Sequence, residues 1–359
     1  MQASRWTIRA VMAALLVAAG GLWALEQGTA RMERELTLDP DDPNQVQLGH
    51  PYLLWGLPPG DTAVNGQRVH INSAGMRGPE VRSQKAAESR RIITVGGSIA
   101  FGEGVERHEI FSADAIAELG GSRVGLEDLN LAVPRYTALQ TRNLMDMRGW
   151  RLEPDLLIIE GPGAEVSVGP YRDIDLLSVY RGRSETRKGL ERFAIFRVLE
   201  HIVSIRRGPK ADLRRSVFAG TASANPSGDA RMSPSTYDEH LDALVQEARE
   251  RGVEVALVLT PNGGDISGDT PHALRPYREV MWNVARRHGA WVLDGPEVFR
   301  TSGRTLEDLF IDSTLLSPHG HRILSYALTR TLKTWVRGKP LRWHPPVRGA
   351  QDSSQGSNP

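Results

Sequence analysis

Residues 91–105, RIITVGGSIAFGEGV, join a short apolar run to a glycine turn that carries a serine. The run has apolar side chains on both faces, which predicts a buried strand. Ser98 follows this strand after two glycines. A serine in this position suits a nucleophile, but a glycine turn with serine also binds phosphate or caps a helix. The rest of the sequence has to distinguish these interpretations.

Four more stretches predict buried strands for the same reason, and helical patterns separate them. Alternating strands and helices predict a parallel sheet that is covered on both faces. We therefore expect an α/β fold, a three-layer α/β/α sandwich with a parallel, flavodoxin-like five-stranded sheet. Its ligand site should lie beyond the carboxyl ends of the strands. The four stretches are LEDLNLAV (126–133), DLLIIEG (155–161), VEVALVLTP (253–261) and AWVLDG (290–295).

Composition excludes several classes of function. The 359 residues include 44 basic and 43 acidic side chains, and this balance indicates no nucleic-acid partner. The absence of cysteine excludes disulfides, thiolate zinc sites and a thiol nucleophile. Histidine spacing typical of a metal site and the pattern of a nucleotide-binding loop are both missing from the sequence. We expect no metal and no cofactor.

The N-terminus predicts export. Arg5 and Arg9 precede an uncharged stretch, residues 10–25, which is shorter than the roughly 20 residues of a spanning helix. Basic residues on this side favour retention of the N-terminus in the cytoplasm. We predict that residues 1–25 form a signal anchor with a periplasmic domain behind it. A cleaved signal peptide, with the domain secreted to the periplasm, is the alternative.

The remaining chain divides into a linker, one large domain and a tail. Residues 26–50 are polar with Asp-Pro breakers and predict a linker, and residues 337–359 predict a disordered tail. Residues 51–336 form the expected domain, in which a segment at about 167–235 breaks the rhythm of strands and helices. Between Arg181 and Arg215 this segment has a net charge of +7. It predicts a lid or cap over the sheet edge, and contact with an anionic lipid or polysaccharide is the alternative.

Three further motifs accompany the serine turn in a fixed order. They are INSAGMRGPEV (71–81), NLAVPRYTALQ (130–140) and FIDSTLLSPHGHRIL (310–324). Together with residues 95–105 they resemble the SGNH, or GDSL-like, hydrolase family, in its exported bacterial branch. The resemblance extends over about residues 50–335. It implies acyl transfer by a serine, with a histidine base three residues after an aspartate. The oxyanion donors in this family are the serine amide, a glycine amide and an asparagine side chain.

The motifs keep the nucleophile but change the base. Ser98 matches the family's serine, with Gly97 before it. Asp312 matches the aspartate, but Leu315 stands where the histidine is expected. Leucine cannot accept a proton, and loss of the base in a serine triad costs about 10⁶-fold in turnover.

The oxyanion positions change as well. Arg135 stands at the position of the glycine, and Ala164, followed by Glu165, stands at that of the asparagine. Alanine cannot donate a side-chain hydrogen bond, and loss of one oxyanion donor costs about 2.7–4 kcal/mol. Arg135 keeps its amide but brings a permanent cation, which would suit a carboxylate, sulfate or phosphate group. An outward-facing loop side chain is the alternative for Arg135.

Several side chains are candidates to replace the missing base. His319 would reach Ser98 after a small shift of its loop, although a solvated position at a helix start is the simpler interpretation. Glu160 and Glu165 are carboxylates at the same rim, and one with a raised pKa would act as a base. For His321 we expect packing or capping.

We therefore predict an envelope-exposed, SGNH-hydrolase-like protein that is catalytically impaired and binds an acylated glycan or another envelope polymer. The ligand class follows from the family resemblance alone. The alternative is an active serine esterase or O-acetyl transferase that uses Ser98 with a substituted base. A third interpretation is an assembly protein that binds an anionic partner through residues 181–215.

Overall fold

The structure is a computed structural model of the chain. It describes residues 17–29, 48–50, 53–57, 59–64, 67–82, 84–168, 172–174, 190, 193, 195–196, 199, 228–270 and 272–345.

Five parallel strands form the central sheet, in the spatial order β6-β5-β7-β8-β9. Each coincides with one of the five predicted stretches, because apolar residues on both faces are buried between two layers of helices. The predicted three-layer sandwich with a flavodoxin-like sheet is confirmed. The strands are β5 (Arg90–Val95), β6 (Leu126–Asn130), β7 (Leu156–Gly161), β8 (Glu254–Leu259) and β9 (Trp291–Asp294).

The strand order places a crevice at the carboxyl end of β5. Strand β6 pairs with one edge of β5, and strand β7 pairs with the other edge. The connection from β5 to β6 therefore leads to one side of β5, and the connection from β6 to β7 leads back to the other side. In open parallel sheets ligands bind where the strand order reverses in this way. The loops after β5, β6 and β7 all end at this crevice.

Helices cover both faces of the sheet. Helix α3 packs on α10, and α4 and α7 pack on α5. The two long helices, α5 and α10, begin at a serine cap followed by proline, and the serine hydroxyls accept hydrogen bonds from backbone amides. The helices are α1 (17–29), α2 (Ser98–Phe101), α3 (Phe111–Glu118), α4 (Ala138–Leu144), α5 (Pro234–Glu250), α6 (Gly264–Ser267), α7 (Arg275–His288), α8 (Gly295–Arg300), α9 (Leu306–Leu309) and α10 (Pro318–Val336).

Two antiparallel hairpins precede the sheet and correct one predicted boundary. Strand β1 (Leu48–His50) pairs with β2 (Leu54–Gly56), and β3 (Gly60–Val64) pairs with β4 (Gln67–Ile71). The prediction of a linker over 26–50 is therefore wrong at both of its ends, because 26–29 continue helix α1 and 48–50 belong to the first hairpin. The rest of that linker lies outside the described residues.

The predicted tail also begins too early. Leu341 is buried, and Trp343 packs against the hydrophobic core. The ring of His344 lies against Trp282 and Trp291. Apolar packing therefore continues to these residues after helix α10 ends, and residues 346–359 of the predicted tail lie outside the described part of the chain.

The N-terminal segment and the inserted segment are described only in part. Residues 1–16 of the predicted signal anchor lie outside the described residues, and none of the described helices is long and apolar enough to cross a bilayer. Most of the predicted lid likewise lies outside them. The two ends of the insertion are joined, since Val168 forms a bridge with Ala230 and the amide of Arg231 donates to the carbonyl oxygen of Ser167, 2.9 Å away.

Candidate functional site

The turn after β5 presents Ser98 at the crevice. Gly96 has a φ of +142°, and a Cβ added there would lie 2.6 Å from Oε2 of Glu160. Glycine is therefore required both by the backbone conformation and by the closeness of β7. Ser98 is the first residue of α2 and is half-buried.

The hydroxyl oxygen of Ser98 accepts a hydrogen bond from a backbone amide. The amide N–H of Arg135 donates to Oγ of Ser98 across 3.3 Å. Within the residues that the structure describes, no imidazole or carboxylate lies within hydrogen-bond distance of that oxygen. Arg135 itself has a φ of +63°, a left-handed conformation that suits the glycine of the related motif better than arginine. The loop after β6 thus presents its amide to Ser98 as an oxyanion-hole loop would.

The carboxylate of Asp312 accepts hydrogen bonds from the backbone of its own loop. Its Oδ1 accepts hydrogen bonds from the amides of Thr314, at 2.7 Å, and Leu315, at 2.6 Å. Partial burial works to raise the pKa of this carboxyl, but these hydrogen bonds outweigh it and hold the pKa below its usual value. The side chain at 315 is aliphatic, so Asp312 has no imidazole to orient at this position.

The two neighbouring histidines differ in exposure. His319 is exposed in the first turn of α10, and no hydrogen bond joins it to Ser98 in the described chain. His321 is fully buried, stacks on Phe111 and accepts a hydrogen bond from its amide through Nδ1, at 3.3 Å. Burial, with a smaller effect of the charge on Arg77, lowers the pKa of His321 to about 3. His321 is therefore a neutral packing residue.

Ala164 opens a single helical turn, Ala164–Val166, after β7. Its carbonyl oxygen accepts hydrogen bonds from the amide and hydroxyl of Ser167, at 3.2 and 2.6 Å. Its methyl group offers no donor, so at this position the site has no counterpart of the asparagine side chain.

Two buried glutamates hold the loops from below. Glu160 accepts hydrogen bonds from the amide of Gly97, at 2.8 Å, and from the hydroxyl of Thr260, at 2.6 Å. Glu165 accepts from the amides of Ala138, at 3.0 Å, and of Gly163, at 2.8 Å. All four carboxylate oxygens are thus used by neighbouring groups of the loops. Sequence reasoning placed these glutamates at the rim, whereas the structure places them beneath it.

Both glutamates have pKa values shifted by their burial. Burial raises the pKa of Glu160, against the hydrogen bonds of Thr260 and Gly97, which lower it. Burial also raises the pKa of Glu165 to about 7. A cavity of about 10 Å³ lies between them, close to the volume needed for one water molecule. A ligand would therefore have to bind above the turn, on the exposed side of Ser98 and Arg135.

An ion pair from the ends of the insertion supports the Arg135 loop. The guanidinium of Arg231 donates to both carboxylate oxygens of Asp173, at 3.0 and 2.9 Å, and to the carbonyl oxygen of Arg135, at 2.8 Å. Both side chains are buried, and Asp173 also accepts from the hydroxyl of Thr137, at 2.8 Å. Sequence reasoning missed this pair, because its partners are 58 residues apart in a region without periodic pattern.

A second buried arginine explains the motif at 71–81. The guanidinium of Arg77 donates to the carbonyl oxygens of Phe101, Gly102 and Val105, at 2.9, 2.6 and 2.7 Å. These carbonyls end helix α2 and the turn behind it. Burial lowers the pKa of Arg77 to about 10, yet it keeps its charge at neutral pH. Arg77 thus fixes the far end of the helix that begins at Ser98.

The described residues contain no cluster of three or more histidine, aspartate or glutamate side chains that would hold a metal ion.

No protein-family model and no curated protein matches the chain. Solved structures do. TesA has a TM-score of 0.44 and 15% identity, over 68% of this chain and 98% of that chain. A lipase/acylhydrolase from Enterococcus faecalis has a TM-score of 0.44 and 17% identity, over 68% and 96%. Axe2, an acetylxylan esterase from Geobacillus stearothermophilus, has a TM-score of 0.44 and 14% identity, over 69% and 95%.

Similarity at this level carries no conclusion about substrate or activity. The strand order and the position of Ser98 after β5 agree with the fold expected from the resemblance of the motifs to SGNH hydrolases.

Proposed function

We propose that this chain is a non-hydrolytic, SGNH-type binding protein of the cell envelope, and that its Ser98 site binds an acylated or glycan ligand without cleaving it. One observation carries the proposal: the described neighbour of the Ser98 hydroxyl is the amide of Arg135, a donor that cannot accept a proton. A serine hydroxyl is a poor nucleophile at neutral pH without an adjacent base. The site keeps the amide of Arg135 as a donor for a carbonyl oxygen, but no described base lies beside Ser98.

The buried glutamates do not favour the esterase alternative. Glu165 has a pKa suited to general-base catalysis, but its two oxygens are engaged by the amides of Ala138 and Gly163. Glu160 is engaged by Gly97 and Thr260. A base must reach the proton that it removes, and both carboxylates point into the loops instead.

The experiment is a test for acyl-enzyme chemistry. Purified protein is treated with a fluorophosphonate probe and assayed with an activated acetyl ester, beside Ser98→Ala and the triple variant Leu315→His, Ala164→Asn, Arg135→Gly. We expect neither stoichiometric labelling of Ser98 nor turnover above that of Ser98→Ala. Stoichiometric labelling, with turnover abolished by Ser98→Ala, would overturn the proposal. Turnover gained by the triple variant would support a degenerate hydrolase site.

The location at the envelope is also a proposal. It is supported by the uncharged stretch at 10–25 behind two arginines and by the exposed apolar side chains of Val17, Leu22 and Trp23 on α1. Membrane fractionation of the full chain, with N-terminal sequencing of the mature protein, separates the two forms of export. Retention of residues 1–25 in the membrane fraction indicates an anchor, cleavage near Ala30 indicates a signal peptide, and recovery of the intact chain without detergent contradicts both.

A further inference from the structure

Arg135 combines a strained backbone with an exposed cationic side chain. Its φ of +63° costs about 1 kcal/mol for a residue with a Cβ, and glycine would remove that cost. Its amide is held by Ser98 Oγ at 3.3 Å and its carbonyl oxygen by Arg231 at 2.8 Å. The loop is thus fixed on both sides of the residue, and the side chain leaves it at a defined point beside the hydroxyl of Ser98.

The guanidinium groups of Arg231 and Arg135 differ in whether a carboxylate pairs with them. Arg231 is buried and paired with both oxygens of Asp173, and it also lies over the ring of Trp55 at 5.1 Å. Arg135 is exposed, and no carboxylate among the described residues forms an ion pair with its guanidinium. The outer cation is therefore available to a ligand, while the inner one is not.

The buried carboxylates of Glu160 and Glu165 hold backbone amides and a hydroxyl and not the guanidinium of Arg135. Both are buried, and each of their carboxylate oxygens accepts a hydrogen bond from a backbone amide or a hydroxyl. Burial also raises the pKa of both carboxyls, that of Glu165 to about 7. Arg135, whose backbone amide contacts Ser98, is by contrast exposed to solvent.

We propose that the guanidinium of Arg135 and the hydroxyl of Ser98 form a subsite for an oxyanion substituent of a sugar, a carboxylate, sulfate or phosphate. A guanidinium presents two parallel N–H groups that match the geometry of such groups, and the serine hydroxyl adds a donor beside them. This inference rests on the proposed binding function, since a ligand that is not hydrolysed must be retained by contacts of this kind.

The test measures the affinity of the full chain for a uronic-acid-containing trisaccharide, for its methyl ester and for a sulfated counterpart, by titration calorimetry. Charge-assisted bidentate contacts predict that the uronate binds about tenfold tighter than its methyl ester. Arg135→Gln should abolish that difference, and Arg135→Lys should keep only part of it. Arg123→Gln, which removes another exposed arginine, should leave it intact. The sulfated probe shows whether the site prefers a carboxylate or a sulfate.

Equal affinities of wild type for the uronate and its methyl ester, with no preference for the sulfated probe, would overturn the inference. So would a preference that Arg135→Gln retains. Ester turnover is measured in parallel to separate this result from the function proposed above. Charge discrimination together with Ser98-dependent turnover would leave the subsite standing and refute the non-hydrolytic function. If the protein shows neither ester turnover nor a preference for the charged probes, the subsite is refuted and the non-hydrolytic function is not.

Discussion

Arg231 donates a hydrogen bond of 2.8 Å to the carbonyl oxygen of Arg135, the residue whose amide faces Ser98. Because Arg231 lies near the end of the insertion and is paired with Asp173 near its start, both ends of that segment are tied to the Ser98 site. A buried guanidinium thereby sets the position of an exposed one. We expect the geometry of the Ser98 site to depend on the hydrogen bond between Arg231 and Arg135.

Removing one partner of this pair should be strongly destabilising. Arg231→Met leaves the carboxylate of Asp173 buried and unpaired, and such losses cost about 3–5 kcal/mol. The measurement is the free energy of unfolding from urea denaturation. Arg287→Met is the matched control, because Arg287 pairs with Asp238 and Asp242 at the surface and exposed pairs are worth at most about 1 kcal/mol. Equal losses in the two variants would contradict the assigned role of Arg231.

The strain at Arg135 predicts an unusual order of two substitutions. Arg135→Gly should be more stable than Arg135→Ala by about 1 kcal/mol, because only glycine adopts a φ of +63° without cost. At Arg123, within the helical turn Gly121–Val124, the order should be reversed, since glycine weakens helical backbone. Urea denaturation of the four variants checks both orders. If Arg135→Ala equals or exceeds Arg135→Gly in stability, the left-handed conformation is wrong.

Arg77 should resist replacement even by lysine. Its planar group reaches three carbonyl oxygens at once, and an ammonium cannot reproduce that geometry. We expect Arg77→Lys to lower the free energy of unfolding by about 2–3 kcal/mol. Arg68→Lys, on the exposed face of β4, should change it by less than about 0.5 kcal/mol. A loss at Arg77 no larger than that at Arg68 would remove Arg77 from the support of α2.

Local pattern explains what could be predicted from the sequence. The five strands were predictable because residues such as Ile92, Leu157 and Leu257 lie in short apolar runs that are followed by turn residues, a pattern typical of strands buried on both faces. The motifs likewise located Ser98 and Leu315 correctly with respect to the sheet edge and the last helix.

Polar contacts between distant segments were not predictable in this way. Asp173 and Arg231 belong to segments without periodicity, and only the fold shows that they meet. Glu160 and Glu165 could be placed at the end of β7 but not above or below the turn, because that depends on the path of the neighbouring loops. Trp343 was an aromatic signal in the predicted tail that should have extended the domain.

His321 predicts how stability changes in acid. Burial, and to a smaller extent Arg77, lowers its pKa in the folded protein to about 3, whereas a histidine in the unfolded chain has its ordinary pKa of 6.5. The unfolded state therefore binds more protons between these values, and stability is lost as the pH falls from 6.5 toward 3, by about 1.4 kcal/mol per pH unit. His321→Asn keeps an acceptor for the amide of Phe111 but cannot titrate. On acidification from pH 6.5 to 4 it should lose about 3 kcal/mol less than wild type.

Glu165 supplies the matched control, because its effect has the opposite sign. Burial raises its pKa to about 7 from the ordinary value of 4.5, so the folded state binds more protons in this range and stability falls as the pH rises through it. Glu165→Gln should remove this loss, about 1.4 kcal/mol per pH unit between pH 5 and 7. The two effects oppose each other in wild type, where their windows overlap. Urea denaturation of both variants from pH 4 to 8 separates them, and parallel pH profiles of the two variants would refute at least one of the assigned protonation states.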